Sequence, residues 1–286
     1  MKKFIFCYIL FVPILLNAQV TPAVIALATK QVNDSVIAWR RHLHQFPELS
    51  NRETNTMQYI VSKLKGLGLT LKSGVAKTGV VAILKGNKPG PVIALRADID
   101  ALPVIERSTL TYASKEIGEY NGQKVPVMHA CGHDAHIAIL LGTATVLSKM
   151  KNEIAGTIVF IFQPAEEGTP GTEEGGAPMM IKEGVMDNPK VEVIFGLHMN
   201  SQTEIGTIKY KTGAVMASSD WFTINLKGKQ SHGSQPWSGI DPIVVAAQII
   251  NGLQTFAFNN SSISNRLIYT RRLTSDAAKL TGIYYD

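Results

Sequence analysis

Apolar residues recur at a helical interval from residue 20 to about 46 (Val24, Ile25, Ala28, Val32, Val36, Ile37, Trp39 and Leu43), and Pro47 closes the pattern. A second helical stretch over 53–67 ends at Gly66 and Gly68. Short β-rich runs follow at 69–71, 80–84 and 91–95, and Asn87-Lys88-Pro89-Gly90 reads as a turn between the last two. Residues 133–150 are apolar nearly all round, which predicts a deeply buried helix. Continuous apolar runs of strand length lie at 157–162 and 191–195, with a helical segment near 177–182 between them. Wholly apolar strands alternating with helices predict an α/β fold, a mixed sheet flanked by helices on both faces. After about residue 212 the pattern changes. Phe222, Ile224 and Leu226 alternate with Thr223 and Asn225, as in a half-exposed strand. An amphipathic helix follows over 241–258, with Asp241 at its N-cap and Pro242 in its first turn. This βα unit predicts the start of a second, α+β domain.

The first residues stand apart. Lys2 and Lys3, an apolar run over 4–16 and Asn17-Ala18-Gln19 have the form of a secretory signal peptide, residues 1–18. The run is short for a membrane span, and Pro13 interrupts it. An exported protein, periplasmic or secreted, is expected. Cleavage removes Cys7 and leaves Cys131 as the single thiol, so no internal disulfide forms and that thiol needs another role. Hydrophobic residues at 45% and charged residues at 17% exclude wholesale disorder. The net charge of +6 comes with no Lys/Arg run and no basic stripe interleaved with aromatics, so nucleic acid is not an expected partner.

Polar residues collect where the apolar strands end, the place where open α/β sheets hold their ligands. The run at 92–95 leads into Arg96-Ala97-Asp98-Ile99-Asp100. The run at 158–162 leads into Gln163-Pro164-Ala165-Glu166-Glu167-Gly168, and that at 193–195 into Gly196-Leu197-His198. A fourth group, His129, Cys131, His133, Asp134 and His136, opens the buried helix. A thiolate and a neutral imidazole are good ligands for zinc or manganese, and a helix mouth favours the thiolate. His136, one turn beyond His133, could ligate or face the sheet. Adjacent carboxylates leaving a strand point to opposite sides, so one of Glu166 and Glu167 can ligate while the other acts as general base. Glu173-Glu174 reads as a solvated acidic loop. Cys131, His133, Glu167 and His198 make four ligands with Glu166 as base, one ligand short of a two-metal hydrolase.

These segments resemble the metal-dependent amidohydrolases related to the zinc exopeptidases, in the branch of bacterial aminoacylases, hippurate hydrolases and plant auxin-conjugate hydrolases. The matching pieces are Arg40-Arg41-His42-Leu43-His44-Gln45-Phe46-Pro47-Glu48-Leu49-Ser50, residues 96–103, 129–136 and 163–168, Gly196-Leu197-His198, and Ser231-His232-Gly233-Ser234-Gln235-Pro236. They stand in family order. The resemblance implies an α/β catalytic domain with an inserted lid or dimerisation domain, which would place residues 19–212 in the first and 213–286 in the second. It implies that Cys131, His133, Glu167 and His198 are metal ligands, in a family whose full-length members hold two divalent ions, zinc or manganese, and that Glu166 is general base and acid. It further implies that Asp98 orients a ligand, and that His232 reaches a neighbouring subunit's site in a homodimer to stabilise the oxyanion. The implied reaction is hydrolysis of the amide bond of a small N-acyl amino acid or similar conjugate.

The family continues past its lid to a final histidine ligand, whereas no histidine follows His232 among the 286 residues. Similarity fades beyond about 259, and residues 266–286 read as an unrelated tail. A C-terminally truncated chain with an incomplete lid, unpaired strand edges, poor solubility and weak or no turnover is therefore expected. A metal-binding chain without turnover, or a hydrolase using Cys131 as nucleophile, would share some of these residues. The second leaves Glu166-Glu167 unexplained, and Cys131 and His133 lie too close along the chain to face each other easily.

Overall fold

A computed structural model describes residues 21–213, 219–260, 267–273 and 277–285. The expected signal segment, residues 1–18 with Cys7, lies outside these. The chain forms two compact units, Met1–Ser201 and Gln202–Asp286, so the expected boundary at 212 falls inside the second.

In the first unit, helix α1 (Pro22–Gln45) begins at Thr21, whose hydroxyl accepts from the Val24 N–H, with Pro22 where its missing N–H is not needed. Helices α2 (Thr54–Leu64), α3 (His133–Lys149) and α4 (Gly176–Lys182) lie close to the expected spans. The strands are β1 (Thr70–Val75), β2 (Gly79–Lys85), β3 (Lys88–Asp98), β4 (Ile117–Tyr120), β5 (Gln123–Pro126), β6 (Ala155–Gln163) and β7 (Val193–Gly196). Five of them form one mixed sheet in the order β1-β2-β6-β3-β7. β6 runs antiparallel to β2 and parallel to β3, and β7 is parallel to β3.

The expected turn at 87–90 is corrected by this order. Lys88 already belongs to β3, and β2 and β3 are separated by β6 rather than joined as a hairpin. The glycines serve close packing instead. A Cβ on Gly156, which has φ +85°, would stand 2.0 Å from the Pro91 carbonyl oxygen, so only glycine lets β6 start against β3.

The apolar runs resolve into the two faces of the sheet. Phe160 and Phe162 of β6 join Val80, Ala82 and Leu84 of β2, packed with Leu43, Ile60, Leu64, Ile137 and Leu141 of α1, α2 and α3. Val159 and Ile161 face the other way, with Val81, Ala94, Met180 and Val185. Each such fully buried side chain contributes about 1.5–3 kcal/mol, which is why β6 lies in the middle of the sheet. β7 does not match its continuous apolar run. Val193, Ile194 and Phe195 are 47%, 47% and 57% exposed. The hairpin of β4 and β5 turns at Asn121 and Gly122, both at positive φ (52° and 75°), the pairing that an Asn-Gly turn favours.

In the second unit, β8 (Ser219–Lys227), α5 (Pro242–Asn260), β9 (Leu267–Leu273) and β10 (Ala277–Tyr285) build a three-stranded antiparallel sheet, order β8-β10-β9, and a helix. Phe222, Ile224 and Leu226 are half-buried and Thr223 and Asn225 exposed, as the alternation requires. Ala246 of α5 packs against Ile224, Leu226, Ile249 and Ile250. The Asp241 carboxylate accepts from the Ile243 N–H at 2.8 Å. The segment read as an unrelated tail takes part in this sheet: β10 pairs with β8 from Ala277 opposite Lys227 to Tyr285 opposite Ser219. Its Leu, Ile, Thr and Tyr content suits a strand, whatever its likeness to a family pattern.

Candidate metal centre

Three segments of the first unit meet at His133. It begins α3 and is fully buried. Its Nδ1 lies 2.9 Å from the Asp100 carbonyl oxygen, so the ring donates there and turns a bare Nε2 the other way. That Nε2 has Asp98 Oδ1 at 3.6 Å, Glu166 Oε2 at 3.7 Å and Glu167 Oε1 at 3.7 Å. His198 repeats the arrangement. Its Nδ1 donates to the Met199 carbonyl at 2.7 Å, and its Nε2 stands 3.5 Å from Cys131 Sγ. Both rings thus hold the tautomer that presents Nε2 as a lone pair.

Ligand-type atoms gather in three groups: Cys131, His133 and His198; Asp98, His133 and His136; and His133, Glu166 and Glu167. His133 belongs to all three. His133 Nε2 and Glu167 Oε1 are buried without a hydrogen-bond partner among the described residues, and a cation between them would satisfy both. The donor set fits a divalent metal, with one thiol, two imidazole nitrogens and carboxylates.

The gathered carboxylates favour the protonated forms of their neighbours when no cation is bound. Burial opposes a charged His133, yet its hydrogen bond to Asp100 and the charges of Asp98, Asp100 and Glu167 carry its pKa above the ordinary value. Burial raises Glu166, and Asp98 and Glu167 add to the rise against the pull of His133. Cys131 is pushed up to about 12 by burial and by Glu167, Glu166 and Asp98. Burial first and the neighbouring carboxylates second thus hold the thiol protonated, and a cation beside it would favour the thiolate.

The other candidates separate cleanly. His136 accepts from the Met199 N–H at Nε2 (2.9 Å) and donates to Asp98 Oδ1 from Nδ1 (2.6 Å), so both nitrogens are engaged. Asp98 also accepts from Arg96 at 2.7 Å. Asp134 turns away to Arg40 (2.8 Å) and His44 (2.9 Å). His129 is buried, and burial holds its pKa down to about 4. His232 belongs to the second unit, is exposed, and holds the Ser234 hydroxyl at 2.8 Å through Nδ1. Glu173, in the solvated acidic loop, pairs with Arg52 (2.6 Å) and Lys77 (3.0 Å).

Two features lay beyond the sequence reading. Asp100 supplies the carbonyl for His133, and its carboxylate accepts from Ser50 (2.7 Å) and the Glu167 N–H (2.9 Å). Its spacing of two from Asp98 at a strand's end was the available signal. Glu166 and Glu167 do not point to opposite sides. The strand ends at Gln163, and Ala165 adopts a left-handed φ of 49°, so strand alternation no longer applies and both carboxylates approach His133.

The profile of peptidase family M20/M25/M40 matches residues 94–279, a span that takes in the whole centre and continues through β8, α5 and β9 into β10. The expectation that family similarity fades beyond about residue 259 is corrected by that reach. An N-acyl-L-amino acid amidohydrolase of Geobacillus stearothermophilus is 46% identical over 224 residues, 78% of this chain and 57% of the relative. An N-acetyl-L-cysteine deacetylase of Bacillus subtilis is 41% identical over 245 residues, 86% of this chain and 54% of the relative. The chain thus spans about half the length of these curated relatives. The crystal structure of the Bacillus subtilis YXEP protein, described as a dinuclear metal binding peptidase from the M20 family, aligns with a TM-score of 0.68 and 38% identity, covering 90% of this chain and 65% of that one. By its centre, its fold and these likenesses, the chain belongs to peptidase family M20/M25/M40.

Proposed function

We propose that the protein is a metal-dependent amidohydrolase that cleaves the amide bond of small N-acyl amino acids or related conjugates. The observation that carries this reading is the pair of histidines, His133 and His198, each tied at Nδ1 to a backbone carbonyl and turned at Nε2 toward carboxylates or the Cys131 thiol. Cys131, His133, Glu167 and His198 are the ligands this chain offers to divalent metal, zinc or manganese. When bound, such ions lend Lewis acidity to the scissile carbonyl and make water easier to deprotonate. Glu166, less buried than Glu167 and 3.7 Å from His133, takes the proton from water and returns it to the leaving amine. Asp98 keeps His136 and Arg96 in place beside the centre. His232 of a second copy stabilises the developing oxyanion in a homodimer formed through the second unit. Residues 1–18 direct export.

Release of free amino acid from N-acetyl- and N-benzoyl-amino acids, with Mn²⁺ or Zn²⁺ added, tests the reading. EDTA should abolish release and added metal restore it. Glu166→Gln should lower turnover at least about 100-fold while keeping its metal. Metal bound without any release would reduce the chain to a metal-binding protein. Release that resists EDTA and vanishes in Cys131→Ala would make the thiol the nucleophile.

A further inference from the structure

Glu53 immediately precedes α2, where a carboxylate ordinarily accepts from the free N–H groups of the first turn, yet it makes no such bond. It is fully buried instead, and its two oxygens accept from the Ala165 N–H at 2.8 Å and the Thr78 hydroxyl at 2.6 Å. Neither partner carries charge, and burial pushes the Glu53 carboxyl up to about 7. A carboxyl buried without a cation costs stability that an apolar side chain of equal size would not.

Its partner Ala165 is strained. A left-handed alanine costs about 1–2 kcal/mol and persists only where the surroundings hold it. From below, a Cβ at Gly176 would stand 2.8 Å from the Ala165 carbonyl oxygen, so a glycine is needed there to admit the turn. On the far side of Glu166, the Glu167 N–H donates to Asp100, whose same oxygen accepts from Ser50. The N–H groups on either side of Glu166 therefore each end on a buried carboxylate. Both carboxylates are tied to one segment, residues 48–53: Glu53 lies in it, Asp100 is held by Ser50, and the Ala101 N–H donates to the Glu48 carbonyl at 2.8 Å.

We propose that Glu53 is a positioning residue which, together with Asp100, clamps the left-handed turn at Ala165 so that Glu166 and Glu167 face His133 before any metal binds. The proposal rests on the reading of Glu167 as a metal ligand. Its advantage is preorganisation: a turn already set for the metal gives up less freedom on binding it.

Titration of the chain with Co²⁺, followed by its visible absorption, reads ligand placement without needing turnover. Glu53→Met should raise the Kd for Co²⁺ about 10- to 100-fold and weaken the visible band. Glu53→Gln can still accept from Ala165 and bond Thr78, so it should stay within about threefold of the wild type. Thr78→Val should raise the Kd a few-fold. A folded Glu53→Met chain with wild-type affinity, even at a lower melting temperature, overturns the clamp, as does a Glu53→Gln chain as weak as Glu53→Met. Where Glu53→Met does not fold, unchanged affinity in Thr78→Val overturns it. Glu167→Gln separates the two readings. Wild-type affinity there removes the ligand assignment itself, whereas weak binding there with full affinity in Glu53→Met removes only the clamp.

Discussion

β6 and β7 each carry an apolar strand into residues of the centre, and they present those residues in different ways. β6 is hydrogen-bonded to β2 on one side and β3 on the other, with buried phenylalanines on one face and Val159 and Ile161 on the other. It delivers Glu166 and Glu167 through a turn fixed at both ends by buried carboxylates. β7 pairs with β3 alone among the described residues, its side chains are about half exposed, and the His198 it leads to is exposed as well. Two runs of similar hydrophobicity thus give one firmly and one loosely held segment of candidate ligands. Position in the sheet decides the difference, because a central strand is fixed by two ladders and two packed faces.

The sharpest way to break this comparison is to delete one candidate ligand from each side. His133 sits in all three ligand groups and is buried, whereas His198 sits in one and is exposed. His133→Ala should weaken Co²⁺ binding at least about 100-fold, and His198→Ala only about tenfold, given about 3 kcal/mol for a well-held ligand of a four-ligand site. Spectroscopic titration of the two variants checks the ordering, and equal losses would mean that burial and sharing do not set the strength of the site.

Much of the first unit could be read along the chain. The all-round apolar pattern at 133–150 marked α3, and the polar residues after 95, 162 and 195 marked the three strand ends that converge. Strand order could not be read, because the Asn87-to-Gly90 stretch has the composition of a hairpin turn and nothing local shows that β6 will insert between β2 and β3. Glu53 was equally hidden. Before a helix it looks like an ordinary first-turn acid, and its partner Ala165 lies 112 residues on, in a conformation that alanine rarely adopts. Asn121-Gly122 carries a local hairpin signal, as the spacing of Asp98 and Asp100 carries one for the centre. Strands β9 and β10 pair although no family motif marks them in the sequence, because β-pairing asks for strand-forming side chains and not for a motif.

A smaller effect tests the firmness of the β6 side through pH. Burial raises the Glu53 carboxyl from its ordinary 4.5 to about 7, so the folded chain holds this proton more tightly than the unfolded one. The stabilisation is fully present below about pH 4.5 and is lost as pH rises through about 7. Glutamine has no proton to lose. Glu53→Gln should therefore gain stability over the wild type between pH 5 and pH 8, by on the order of 2 kcal/mol. His129 works in the opposite direction. Burial depresses it to about 4 against the pull of Asp134, so its contribution is lost as pH falls below about 6.5 toward 4. Urea unfolding of both chains in EDTA, compared pairwise at each pH, cancels the His129 effect. A difference that does not grow with pH would show that Glu53 is not the buried acid its contacts make it.

The smallest expected effect lies in backbone exchange, and it concerns the β7 side directly. Without metal, amides over 193–199 should exchange faster than those over 158–167, since an edge strand opens at lower cost than a central one. Metal should then slow residues 197–199 by a few-fold and leave 158–167 nearly unchanged. The reason is local: a cation on His198 Nε2 steadies the ring whose Nδ1 holds the Met199 carbonyl, and Met199 in turn donates its N–H to His136. The β6 turn has no comparable slack to lose, because Glu53 and Asp100 hold it already. Hydrogen–deuterium exchange with and without Zn²⁺ measures both segments at once. Equal slowing on the two sides would mean that Glu166 and Glu167 are as loosely placed as His198 until metal arrives, and the contrast between central and edge strand would then lose its bearing on the site.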